Sequence, residues 1–118
     1  MTAPFLSICI PSRNRQRYFK ETIRFLLESP RDDVQFVFAD NSDDASVMDG
    51  FIAGITDRRV KYLPSPSQTL SMKDNWERSL EATTGRWISV VGDDDLVRRL
   101  GLVQQPRQGR RQGRGLVV

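Results

Sequence analysis

Four short apolar runs alternate with three stretches of helical spacing, and this alternation constrains the fold more than any other feature of the chain. FLSICI (residues 5–10), VQFVFA (34–39), VKYL (60–63) and RWISVV (86–91) are rich in β-branched and aromatic residues, as buried strands are. Between them, Phe19, Ile23, Leu26 and Leu27 mark one helical face, and Val47, Met48, Phe51, Ile52 and Ile55 mark a second. A third helix opens at Ser71, with Asp74 three positions on in a capping-box-like start, and Met72, Trp76 and Leu80 are expected on its buried face. Pro11 is expected to stop the first strand, Ser42, Asp43 or Asp44 to cap the second helix, and Gly85 to cap the end of the third. The order β-α-β-α-β-α-β predicts an α/β fold: a mostly parallel sheet with right-handed crossovers and flanking helices.

Ligands of such sheets bind outside the carboxyl ends of the strands. After the first strand comes PSRNR, after the second DNSDD, and after the fourth GDDD, so polar and acidic residues collect on that one edge. Three adjacent carboxylates repel one another, and a cation is the simplest way to keep them ionised. Carboxylate oxygens suit Mg2+ or Mn2+, and Mg2+ usually takes one or two of them and completes its shell from water and phosphate. An isolated GDDD reads more readily as a solvated turn than as a ligand site; the second acidic loop on the same edge favours a ligand site. Asp40, the first polar residue after a strongly apolar strand, is suited to accept hydrogen bonds from a ligand or to cap the next helix. Arg13 can stack on a base or pair with phosphate, and Asn14 organises its loop through side-chain to backbone bonds. Trp76 and Trp87 are expected in the core.

Composition closes off other chemistries. Cys9 is the only cysteine and the chain has no histidine, which excludes an internal disulfide, a Cys/His zinc site and a histidine base. Cys9 itself reads as a small buried hydrophobe. Neither G-x-G-x-x-G after the first strand nor G-x-x-x-x-G-K-[ST] occurs, so phosphate would have to be held by metal and loop side chains. No apolar run approaches the roughly 20 residues of a membrane span. The N-terminus lacks the basic region and long apolar run of a secretory signal, and a cytoplasmic location is expected.

LSICIPSRNR, VQFVFADNSDD, NWERSLEATTGRW and ISVVGDDDL, in this order and spacing, resemble the N-terminal half of family 2 glycosyltransferases with the GT-A fold. The resemblance covers roughly residues 5–97, making residues 1–97 a Rossmann-like donor-binding half. It implies a nucleotide-diphosphate sugar as partner, with UDP-, dTDP- and GDP-sugars all open. On that resemblance Pro11, Ser12, Arg13 and Asn14 line the nucleotide pocket, Asp40 contacts the base, and Asn41 belongs to the same substrate-binding set. Asp93 approaches the ribose or metal, and Asp94 with Asp95 holds Mg2+ or Mn2+ in a D-x-D-type motif. Arg13 stands where the family often has an aromatic residue, which leaves the choice of nucleotide open. The family reaction is inverting, and its base and acceptor site come from chain beyond the D-x-D segment.

Residues 98–118 change character. They hold six of the 18 basic residues and none of the 15 acidic ones, so the preceding body carries −3 against the chain's +3. Two readings compete. In the first, the segment is a disordered tail out of register with an ancestral coding frame, and the chain is a truncated enzyme with unknown acceptor and oligomeric state. In the second, the protein is a noncatalytic binder of RNA or another polyanion through this arm.

Overall fold

The computed structural model describes residues 3–94 and the backbone of residues 116 and 117. The elements run β1 (Leu6–Ser12), α1 (Gln16–Leu27), β2 (Val34–Asp40), α2 (Ser46–Ala53), β3 (Val60–Leu63), α3 (Met72–Glu81), β4 (Trp87–Val90) and β5 (Leu116–Val117). The expected β-α-β-α-β-α-β order holds, and every strand pairing is parallel, in the order β3-β2-β1-β4-β5. The two-residue β5 is the one part of the 98–118 tail among the described residues.

Alternate residues of the strands feed two cores. On one face Ile10, Phe36 and Phe38 pack with Phe19 and Ile23 of α1 and Met48 of α2. On the other, Cys9, Val37 and Val90 pack under Leu80 of α3. The first core is the larger, and Phe19 meets Phe38 edge-on with ring centroids 6.1 Å apart. Each Phe or Ile side chain buried there contributes about 1.5–3 kcal/mol. Cys9 is fully buried, as expected, and burial pushes its thiol up to about 11.

Three local expectations are corrected, and the capping of α2 is narrowed to one residue. Pro11 does not stop β1, which runs on to Ser12. Along a parallel strand, alternate residues direct their N–H and C=O to the same neighbour. Cys9 faces β4, since its carbonyl accepts from Val91 N at 2.9 Å, so Pro11 faces the same side just past the end of β4 at Val90. Its missing N–H therefore removes no ladder bond. Of the three residues expected to cap α2, Asp44 does so from just before the helix, its Oδ1 accepting from Ser46 N at 3.0 Å, while Ala45 at the N-cap position makes no side-chain bond. Ser42 is drawn to Asp40 instead, its Oγ donating to Oδ1 at 2.6 Å.

Ser71 caps α3 as expected, accepting from Asp74 N at 3.0 Å. The buried face of that helix, however, is Asn75 and Ser79, while Met72 is 74% and Trp76 38% exposed. Two carbonyls at the C-terminal end of β2 take donors from α3. Asn75 Nδ2 reaches Ala39 O at 3.3 Å, and Arg78 Nη2 reaches Asp40 O at 2.7 Å. Satisfying buried carbonyls outweighs burying Met72.

Gly85 is not the cap of α3, which ends at Ala82. It is required by close approach to β1: a Cβ there would stand 2.7 Å from Ser7 N and 2.8 Å from Leu6 C.

Candidate functional site

β1 lies centrally, with β2 and β3 added on one side and β4 on the other. The chain thus reverses direction across the sheet between β1 and β4, which makes their carboxyl ends the topological switch point where open α/β sheets bind ligands. A cleft of about 320 Å3 opens there, lined by Pro11, Ser12, Arg13, Arg15, Asn41, Met72, Asn75, Trp76, Gly92, Asp93 and Asp94. Its volume is in the range of small-ligand sites.

The carboxyl end of β1 is fastened to the turn after β4 by two bonds. Ser12 Oγ donates to Asp93 Oδ2 at 2.8 Å, and Thr22 Oγ1 from α1 donates to the Asp93 carbonyl at 2.7 Å. Asp93 is nearly buried. Arg15 sits across the acidic pair, its Nε 3.4 Å from Asp93 Oδ1 and its Nη1 3.3 Å from Asp94 Oδ2. A guanidinium thus offsets part of the charge of both carboxylates.

The loop after β1 is stitched to the loop after β2. Asn14 has φ 56, a left-handed conformation that Asn tolerates better than most residues. It donates from its backbone N to Ser42 Oγ at 2.7 Å, and its Oδ1 accepts from Asp43 N at 2.9 Å. Asn14 therefore has the organising role expected of it. Arg13 Nη1 donates to Asn41 O at 2.8 Å and pairs with Asp43 at 3.1 Å. The Asn14 hydrogen bond first, and the Arg13 charge second, hold the Asp43 carboxyl below the usual carboxylate range. Asn41 clamps the segment ahead of α3, donating to Leu70 O at 2.8 Å and accepting from Leu70 N at 2.9 Å.

Asp40 lies behind this lining, fully buried. Its Oδ1 accepts from Ser42 N at 3.2 Å and its Oδ2 from Gln16 Nε2 at 3.2 Å. Burial first, and the charge of Asp40 second, push the Tyr62 hydroxyl well above its ordinary value.

Of the residues nominated from sequence, Pro11, Ser12, Arg13, Asn41, Asp93 and Asp94 thus meet in one cleft; Asn14 and Asp40 support it, and Asp95 lies outside the described residues. Arg15, Met72, Asn75 and Trp76 are additions. Trp76 was assigned to the core by its spacing with Met72 and instead stands at the cleft. Arg15 carried a signal, as the second arginine of PSRNR. Among the described residues, no three carboxylates, histidines or cysteines gather as a metal cluster.

The model of the family described as glycosyl transferase family 2 matches residues 7–103 of the 118. The chain belongs to glycosyl transferase family 2. The match begins within β1 and runs six residues beyond Val97, where the sequence resemblance was placed. Both sides of the cleft, from Pro11 to Asp94, fall inside it. The fold agrees with the GT-A architecture of this glycosyltransferase family. A search of curated proteins returned no match. Among the described residues, no helix of this family 2 chain is long and apolar enough to cross a membrane.

Proposed function

We propose that the chain binds a nucleotide-diphosphate sugar in the cleft between β1, α3 and the turn after β4, as the donor-binding part of an inverting glycosyltransferase. The single observation that carries this reading is the Ser12–Asp93 hydrogen bond. It brings the loop nominated for the nucleotide and the acidic turn nominated for the diphosphate into one cleft at the switch point of the sheet.

On this reading Pro11, Ser12 and Arg13 form the nucleotide side of the cleft, and Asn41 shapes it by clamping the segment ahead of α3 through Leu70. Asp40 and Asn14 serve by fixing the loops that carry Asn41 and Arg13, since their polar atoms are engaged by Ser42, Gln16 and Asp43. Asp93, held by Ser12, faces the ribose or metal. Asp94, with Asp95, would hold Mg2+ or Mn2+. The donor set fits such an ion: two hard carboxylates at the cleft meet the one or two that Mg2+ usually takes from protein. When bound, the ion supplies charge stabilisation to the departing nucleotide diphosphate.

The transfer forms a bond between the acceptor oxygen and the anomeric carbon as the bond from that carbon to the diphosphate oxygen breaks. The leaving oxygen keeps the electron pair, and the acceptor proton passes to a carboxylate base. In the family that base comes from chain beyond the D-x-D segment; residues 96–118 of this sequence hold no Asp or Glu, and no residue of this chain is assigned the role. The cleft residues of this protein orient the donor and fix its diphosphate for in-line displacement. Direct titration of nucleotide sugars with and without Mn2+, on the native chain and Asp94→Ala, tests the proposal.

A further inference from the structure

Arg15 has no part in the assignments above, yet among the described residues it is a cation within reach of both Asp93 and Asp94. Its side chain is half exposed, whereas those of Asp93 and Asp94 are 7% and 16% exposed. The carboxylates are therefore fixed and the guanidinium is the partner able to leave. Asp93 is anchored by Ser12 and Thr22, while both contacts of Arg15 are long, at 3.3 and 3.4 Å. Arg15 is also the N-cap residue of α1 and makes no side-chain cap bond, so its side chain is not committed to the helix.

Resting on the donor reading above, we infer that Arg15 is a movable counter-charge: it neutralises Asp93 and Asp94 in the empty cleft, yields them to a divalent cation, and then pairs with the donor diphosphate. A guanidinium and a divalent cation cannot both occupy the same carboxylate oxygens, so Arg15 weakens binding of the metal by itself. Once displaced, its planar fork of N–H donors matches phosphate oxygens at the same cleft. Arg15 thereby opposes metal binding and favours diphosphate binding, two effects of opposite sign from one side chain. A purely structural arginine would move both in the same direction.

The test uses the full chain and Arg15→Gln, with Arg15→Lys as a second variant that keeps the charge, all checked for native circular dichroism. Mn2+ alone is titrated by the spin-resonance signal of the free ion, and UDP, dTDP and GDP are titrated by calorimetry at saturating Mn2+. Arg15→Gln is expected to tighten Mn2+ about three- to tenfold, the scale of a partly exposed ion pair, and to weaken the best-bound nucleoside diphosphate by a similar factor. Arg15→Lys should shift both affinities in the same senses but by less. Unchanged or weaker Mn2+ binding in Arg15→Gln, or no Mn2+ binding by any of the three proteins, overturns the inference. If the native chain binds Mn2+ but none of the nucleotides, the donor reading fails instead, and the Mn2+ comparison alone decides whether Arg15 competes for the carboxylates.

Discussion

Ser12 and Asp93 lie 81 positions apart in sequence and 2.8 Å apart in space, the hydroxyl of one donating to the nearly buried carboxylate of the other. This bond joins the first strand to the acidic turn after the fourth, and it spans the point where the sheet reverses its order. Ser12→Ala removes a hydrogen bond to a nearly buried carboxylate, a loss of about 1–3 kcal/mol. Urea titration should show a lower midpoint at an unchanged m-value. An unchanged midpoint would mean that the bond contributes nothing to the fold.

Gly85 passes so close to β1 that an added methyl group meets backbone atoms of Leu6 and Ser7 as well as the Ser7 hydroxyl. Gly85→Ala should therefore destabilise the fold by about 1–3 kcal/mol through overpacking. Adding Ser7→Ala should not restore it, because Ser7 N and Leu6 C still obstruct. Thermal unfolding of the single and double variants makes the comparison.

Two methionines test the revised core. Met48 is fully buried among Phe19, Ile23 and the strand residues, and Met48→Ala should cost about 2–5 kcal/mol. Met72, exposed at the cleft, should tolerate Met72→Ala within about 0.5 kcal/mol. Equal losses at the two sites in denaturant unfolding would return Met72 to the core.

Cys9 offers a pH readout. Burial lifts its thiol from an ordinary value near 9 to about 11, so folding favours the neutral thiol. That contribution is fully present below the unfolded thiol's pKa and is lost as pH rises through about 11. At pH 8 the native thiolate fraction is about one in a thousand, and a disulfide reagent should react at the rate of unfolding or opening. Fast stoichiometric labelling of the native protein would contradict the burial of Cys9.

The order of elements was legible because the central strands β1 and β2 are largely buried on both faces and read as mostly apolar runs. Phe19 and Ile23 likewise revealed the face of α1. The edge carrying Ser12, Asn41 and Asp93 followed from that order, since parallel strands place all their carboxyl ends on one side. What escaped the sequence depends on partners far along the chain. Pro11 continues β1 because β4 stops at Val90; Asn75 and Arg78 reach inward to carbonyls at the end of β2. Gly85 answers to Ser7 across the sheet rather than to α3. Arg15 gains its interest only when Asp93 and Asp94 are folded beside it. Hydropathy at helical spacing carries none of these relationships.

Calorimetric titration of UDP-, dTDP- and GDP-sugars against the native chain and Asp94→Ala, each with and without Mn2+, tests the donor site most directly. The account predicts Mn2+-dependent binding of at least one of these donors, weakened tenfold or more, about 1.4 kcal/mol, in a folded Asp94→Ala protein. Absence of binding to every donor with Mn2+ present, or binding that neither Mn2+ nor Asp94→Ala changes, would contradict it.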